Sequence, residues 1–489
     1  MKIIIAYPPL GSGKGVPLLS QNRQFQYFKE PTFIYPVVPA SAATMLRADD
    51  HEVLWLDGIA EGLTRGSFLE RVRAFGPDLI ALETKTPVVA HHWRWIDDLK
   101  EAGSPWTVLF GDHVTAMPQE SFARSRVDFV LTGGDYDFLL RGLCANLHAK
   151  RAGGPAKDLE PGIWYREGGT VLSTGPFRLD HDLDTAPLID RDLTRWTLYA
   201  HKNGNFRRTP GAYTMAGRDC WWGRCTFCSW PTLYPKFRAR SPVRVADEIE
   251  QLVTRHGVRE IMDDTGTFPT GAWLKEFCAE MVRRGLPQKV SLDCNMRFGA
   301  VGAEEYRMMK AAGFRLVLFG LESGNQATLD RLDKNLRIED IARSCRAARR
   351  AGLYPHITIM FGYPWESHAD ALKTLDLGRR LLVKGDAYTV QATLVIPYPG
   401  SRLFVECRKN GWLRTENWED YDMKRPVMTT PIPDAILLGM VQGIYRTAFN
   451  PEFVIRRLGS VRDLADLAYF GRGVRKVAGH LFDFARNRS

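Results

Sequence analysis

Short apolar runs recur along the first 145 residues, each closed by turn formers and separated from the next by a helical pattern. Residues 3–7 form one such run, Ile-Ile-Ile-Ala-Tyr, ended by Pro8-Pro9, and residues 52–57, 78–82, 108–111 and 127–131 form others. Ala40, Ala42, Ala43 and Leu46 lie on a helical stretch before the second run, and residues 67–75 read as a helix before the third. Short apolar strands alternating with helices predict a parallel, doubly wound sheet. Such sheets bind ligands beyond the carboxyl ends of their strands, where this chain has Asp57-Gly58, Thr84-Lys85-Thr86, Gly111-Asp112-His113 and Thr132-Gly133-Gly134-Asp135.

The pattern changes at residue 146. Residues 146–208 are rich in turn signals around short strands, which predicts a connector carrying a small hairpin. A second alternation of strands and helices fills residues 209–415, with strands at 260–262, 289–292, 315–319, 356–360 and 389–394. That count predicts a partial or full (β/α) barrel with its chemistry at the carboxyl ends of the strands. Residues 416–489 read as a small, mainly helical and basic region. The fold class expected is therefore α/β, with a doubly wound domain over 1–145 followed by the barrel. A length of 489 residues agrees with about three domains.

Composition narrows the class. Hydrophobic residues at 45% and charged residues at 25% are ordinary for a globular chain. No apolar run approaches the roughly 20 residues needed to cross a bilayer, and the apolar start is too short for a secretion signal. A cytoplasmic location is expected. The net charge of +10 is partly local: Arg456, Arg457, Arg462, Arg472, Arg475, Lys476, Arg486 and Arg488 crowd the end of the chain. A solvated helical face accounts for such a pattern, and an amphipathic basic end also suits peripheral contact with a membrane surface.

Of eight cysteines, five are scattered and three form one cluster, Cys220-Trp221-Trp222-Gly223-Arg224-Cys225-Thr226-Phe227-Cys228. Three thiolates on one short loop can hold three irons of a [4Fe–4S] cubane, leaving the fourth iron open. A zinc ion closed by a fourth ligand from elsewhere is the rival, and three core cysteines are a further reading.

On this cluster the chain resembles the radical SAM superfamily, and within it the cobalamin-binding branch, in which a Rossmann-like domain precedes the radical barrel. The resemblance spans both large segments. The family's common spacing is Cys-x3-Cys-x2-Cys; here the first gap holds four residues. The resemblance implies that Cys220, Cys225 and Cys228 hold the cluster, and that Phe227 lies near the adenine of S-adenosylmethionine. Asp263 and Asp264, in Met262-Asp263-Asp264-Thr265, would hold its amino group, a capping role for the next helix being the alternative. Arg297 resembles a ribose or carboxylate contact. Gly320, Glu322 and Ser323, in Gly320-Leu321-Glu322-Ser323-Gly324, resemble a ribose-binding signature.

In the front domain the resemblance implies that Thr84, Thr86, His113 and Gly133 contact cobalamin. The Asp-x-His-x-x-Gly pattern that supplies a cobalt ligand is absent, because Asp112 and His113 are adjacent. The implied cofactors are a [4Fe–4S] cluster, S-adenosylmethionine and cobalamin. The implied activity is methylation of an unactivated carbon through a 5′-deoxyadenosyl radical and methylcobalamin. Radical cyclisation or oxidation without methyl transfer is the alternative. A nucleic-acid-modifying, methylthiotransferase-like enzyme stands third, since such enzymes carry further front-domain cysteines and only Cys144 precedes Cys220 here. The partners implied are a small-molecule or peptide substrate and an external low-potential electron donor of flavodoxin or ferredoxin type. Nucleic acid is not an expected partner.

Overall fold

The computed structural model describes residues 1–11, 13–17, 27–28, 32–103, 105–153, 158–201 and 206–483; Arg486 and Arg488 of the basic end lie outside them. The front sheet has seven strands: β1 (Lys2–Tyr7), β2 (Glu52–Asp57), β3 (Leu79–Glu83), β4 (Trp106–Phe110), β5 (Phe129–Leu131), β6 (Ile163–Glu167) and β7 (Thr170–Ser173). Their spatial order is β2-β1-β3-β4-β5-β6-β7. The first five are parallel; β6 and β7 run antiparallel. All five residues of β3 are buried, as expected of a parallel strand covered by helices on both faces. The helix Arg65–Phe75 shows how local sequence sets an element's limits. Thr64 caps its start reciprocally with Ser67, and Gly76 ends it at φ 62°. Strand order reverses between β1 and β3, which opens a crevice at the carboxyl ends of those strands.

The hairpin expected in the connector is β6–β7, and it extends the front sheet as an antiparallel edge. Ile163 is buried opposite Leu131 while the outer strand stays largely exposed.

The second sheet has six strands, all parallel and in chain order: β8 (Gly211–Thr214), β9 (Glu260–Asp263), β10 (Ser291–Met296), β11 (Phe314–Glu322), β12 (Tyr354–Phe361) and β13 (Thr389–Leu394). Six strands make a partial barrel. The outer edge of β13 is covered by the helix Asp434–Arg446, whose Tyr445 hydroxyl donates to the Ala392 carbonyl (2.9 Å) and accepts from its N–H (3.0 Å). The helices Pro451–Leu458 and Leu464–Asp483 follow. Arg207 and Arg208 tie the last helix to the foot of the barrel through Asp466, at 2.6 Å and 2.8 Å, and through Asp463, at 2.6 Å. Residues 418–422 turn back onto the front domain, where Trp418 Nε1 donates to Glu120 (2.9 Å). Among the described residues no helix is long and apolar enough to cross a membrane.

Candidate active site

A cavity of about 600 Å³ occupies the barrel, bounded by the inward-facing residues of β9–β13 on one side and by the last three helices on the other. Cys220, Cys225 and Cys228 line its upper end together with Phe227. The cysteine loop is held at both ends of its span. Cys220 forms an isolated bridge with Thr267, and its Sγ lies 3.1 Å from the Thr267 hydroxyl. Thr226 donates its N–H to Leu332 (3.0 Å) and accepts from Leu403 (2.8 Å). The extra residue of the first gap is absorbed at Gly223, whose φ of 58° lets the loop turn without a Cβ in the way.

Burial pushes the Cys225 thiol up, an effect opposed by the cations Lys334 and Arg297. Burial pushes Cys228 up further, reinforced by Cys225. Thiols so placed become thiolates when a metal or another positive centre takes the charge. Three sulfurs on one cavity edge can hold three corners of an iron–sulfur cubane.

Around the same edge lies a set of groups suited to a charged, aromatic-bearing ligand. Glu322 ends β11 at φ 63°, after a register shift between Gly320 and Glu322. Its Oε1 accepts from Lys334 Nζ at 2.8 Å. Burial pulls the Lys334 ammonium down, but the Glu322 carboxylate outweighs it, leaving the pKa above the usual lysine value. A Cβ at Gly320 would meet Glu322 Oε1 at 2.1 Å, so only glycine leaves room for this pair. Arg297 stacks 4.2 Å over the Trp222 ring and donates to the Lys334 carbonyl (2.5 Å). Gly320, Glu322, Arg297 and Phe227 thus meet at one cavity.

Asp263, Asp264 and Ser323 do not line it. Asp263 accepts from the Thr214 hydroxyl (2.9 Å), Ala216 N–H (2.9 Å) and Thr265 N–H (3.1 Å), so it fastens the turn after β8 to the end of β9. Asp264 is buried behind it. Ser323 donates to Glu366 (2.8 Å) and accepts from Asn325 N–H (3.1 Å), away from the cavity. Lys334, Thr267 and Trp230 line the cavity without having been singled out from the sequence. Lys334 had one readable signal: Asp333 and Asn335 beside it both take left-handed backbone, φ 51° and 48°, which Asp and Asn tolerate best.

Thr84, Thr86, His113 and Gly133 sit together at the carboxyl edge of the front sheet, beside the β1/β3 reversal, but outside the large cavity. The Thr84 hydroxyl is fully buried with no hydrogen-bond partner. His113 Nδ1 lies 3.2 Å from the Thr86 hydroxyl and Nε2 lies 3.2 Å from Glu120, so both ring nitrogens are engaged. The Trp418 ring lies against it, 5.2 Å away. Gly133, at φ 82°, has Phe177 where a side chain would go.

Residues 216–378 match the Radical SAM superfamily. That span is a radical SAM domain. The domain comprises β9–β12 and the cysteine loop, the elements just described. Among curated proteins, the uncharacterized methyltransferase PH0819 of Pyrococcus horikoshii is 26% identical over 397 residues, covering 80% of this chain and 83% of that protein. The anaerobic magnesium-protoporphyrin IX monomethyl ester cyclase of Cereibacter sphaeroides is 24% identical over 381 residues, covering 76% and 60%. Two solved structures share the fold over nearly the whole chain. The radical S-adenosylmethionine methyltransferase TsrM from Kitasatospora setae, with cobalamin and a [4Fe–4S] cluster bound, has a TM-score of 0.67 at 15% identity, covering 99% of this chain and 100% of that one. The cobalamin-dependent S-adenosylmethionine radical enzyme OxsB, with aqua-cobalamin and S-adenosylmethionine bound, has a TM-score of 0.69 at 14% identity, covering 98% and 71%. The likeness extends through the front domain as well as the radical SAM domain.

Proposed function

We propose that this chain is a cobalamin-dependent radical SAM enzyme that methylates an unactivated carbon. One observation carries the reading: three cysteines of one loop share a cavity edge with Phe227, Glu322, Lys334 and Arg297, inside a radical SAM domain. The donor chemistry fits the groups it would hold. Three soft thiolates suit a [4Fe–4S] cluster. The Lys334 ammonium and Arg297 guanidinium offset the negative charge of those thiolates. Glu322 and Lys334 offer opposite charges to the ammonium and carboxylate of S-adenosylmethionine, and Phe227 offers a flat face for its adenine. In the front domain, the unpartnered Thr84 hydroxyl at the strand-order reversal, with Thr86, His113 and Gly133 around it, suits the amide-rich periphery of cobalamin.

When bound, these cofactors together supply a 5′-deoxyadenosyl radical and a transferable methyl group. The protein's part is placement and exclusion of water. The helix Asp434–Arg446 and those after it close the open side of the partial barrel, so a substrate carbon is held away from solvent beside the cysteine loop. An external one-electron donor of flavodoxin or ferredoxin type is required, together with a substrate that fits the cavity. A cytoplasmic location agrees with the oxygen-sensitive chemistry.

The test is anaerobic reconstitution followed by iron analysis, Mössbauer spectroscopy and product analysis. About four irons per chain with a cubane spectrum, and 5′-deoxyadenosine and S-adenosylhomocysteine in equal amounts, are expected. Deoxyadenosine alone would favour the cyclase or oxidase alternative, a reading also supported by the cyclase among the relatives. Absence of a cubane signal would overturn both.

A further inference from the structure

The last helix is apolar toward two sides. Its inner face, with Tyr469, Phe470, Gly473, Lys476, Val477 and His480, lines the cavity. Its outer face repeats at positions 464, 467, 468, 471 and 474, the spacing of one helical stripe. On that stripe Leu464 is 84% exposed, Leu467 53% and Val474 50%. The neighbouring helix Pro451–Leu458 buries none of its residues, and there Ile455 is 71% exposed, with Phe449 just before it at 60%. Exposed apolar patches of this kind mark interaction surfaces.

The exposed charges around this patch are predominantly basic. Arg456 and Arg475 are exposed on the two helices, and Arg462 is exposed on the turn between them. Arg379, Arg380 and Lys384 are exposed on the helix His368–Lys384, which packs against Pro451–Leu458. Of the acidic residues nearby, Asp463 and Asp466 are paired with Arg208 and Arg207, leaving Glu452 and Asp376. An apolar stripe rimmed by arginines is the surface of a helix that lies in an anionic membrane interface.

Inside, the cavity is two-sided. One wall, on the strands, presents His356, Thr358, Thr389, Gln391 and Thr393; the opposing wall, on the terminal helices, is apolar at Phe453, Val454, Phe470 and Val477 and carries Arg457, Lys476 and His480 at intervals. An amphiphile with an apolar body and a hydrogen-bonding edge matches both walls. Phe449 and Val474 belong to both the exposed patch and the cavity lining, so the patch adjoins the cavity directly.

We infer that the helices Pro451–Leu458 and Leu464–Asp483 dock the enzyme on an anionic lipid surface, and that its substrate is a membrane-partitioned amphiphile admitted to the cavity beneath them. The inference rests on the proposed function for what happens to the substrate, but docking and uptake need neither cluster nor S-adenosylmethionine. An acidic protein partner would satisfy the arginines and would leave the apolar inner wall without a purpose.

The experiment uses the full-length, anaerobically reconstituted enzyme and vesicles of phosphatidylcholine, with or without phosphatidylglycerol. Salt-sensitive co-sedimentation with the anionic vesicles alone is expected. The combined substitutions Ile455→Asp, Leu464→Asp and Leu467→Asp, all at exposed positions, should weaken it at least about tenfold, while dithionite-driven cleavage of S-adenosylmethionine stays unchanged. Uptake is read separately with cis-parinaric acid, whose fluorescence should rise with the wild type and not with Ala448→Trp, a variant that fills the cavity and whose folding is checked by circular dichroism. Failure of the wild type to sediment with either vesicle, sedimentation indifferent to the three aspartates, or a dimer dissolved by them without change in vesicle binding would each overturn the docking. No response to cis-parinaric acid would overturn the lipid substrate. Failure of the wild type to cleave S-adenosylmethionine would strike the proposed function instead.

Discussion

Single residues at the cavity edge carry separable burdens. Burial raises the Cys228 pKa well above the free value, so in the proposed role it would ligate iron only in exchange for positive charge. Cys228→Ala should lower iron content after reconstitution to near zero and abolish cleavage of S-adenosylmethionine. Cys144→Ala, at a fully buried front-domain position, should leave the iron content unchanged; iron analysis of both variants checks the pair. Lys334 is a different case. With Glu322 it forms a buried ion pair at 2.8 Å, and removing one partner of such a pair costs about 3–5 kcal/mol because the other charge is stranded. Lys334→Met should therefore destabilise the enzyme strongly, whereas Lys334→Met combined with Glu322→Gln should regain part of the loss. Denaturant unfolding of the single and double variants measures the recovery. A double variant as unstable as the single one would mean the pair is not the source.

At the scale of elements, the strand ends of the front sheet are packed backbone to backbone. Gly111 follows β4 at φ 128°, and a Cβ there would come within 2.1 Å of the Thr84 carbonyl. Gly111→Ala should cost roughly 1–3 kcal/mol in backbone strain and a similar amount in crowding. Its effect should include weaker binding of aquacobalamin, measured by the change in visible absorbance on titration, because Thr84 is the residue displaced. Such elements were largely legible in the chain. Apolar runs such as residues 3–7 and 78–82 are buried on both faces, so they stand out as unbroken hydrophobic segments. The hairpin β6–β7 was legible as a hairpin but not as part of the front sheet, since its docking depends on pairing of Ile163, Trp164 and Tyr165 with Leu131, Val130 and Phe129, far away in sequence. The cysteine loop was legible because its three cysteines lie within nine residues. Asp263 and Ser323 show the limit of such reading: a carboxylate or hydroxyl after a strand reads the same whether it faces a ligand or fastens a turn, and Thr214, Ala216 and Glu366 bond them here. Lys334 stayed hidden because its partner Glu322 lies on a different element.

At the scale of the whole molecule, the front domain, connector and radical SAM domain are joined by one charged network, which no local sequence pattern reveals. Arg218, next to the cysteine loop, grips Asp137 with two bonds of 2.8 Å and 2.6 Å and reaches Asp135 at 3.2 Å. Arg238 joins Asp135 at 2.5 Å. His181 closes the network from the connector, bridging Asp135 at 3.1 Å and Glu160 at 2.9 Å while stacking on Phe138 at 4.4 Å. Hydrogen bonds to Asp135 and then Glu160 raise the His181 pKa to about 9 from the usual 6.5 of a histidine. Because the folded value lies above the unfolded one, protonated His181 adds stability that is fully present below about pH 6.5 and is lost as the pH climbs through about 9. The contribution is tempered by solvent, since the imidazole is only half buried. Thermal melting of the wild type and of His181→Gln across that window should show the wild type ahead at the acidic end, with the gap closing toward the alkaline end. Salt should narrow the gap less than it narrows exposed ion pairs, because Asp135 is almost wholly buried. A gap that stayed constant with pH would show that His181 holds the domains by packing on Phe138 and not by its charge.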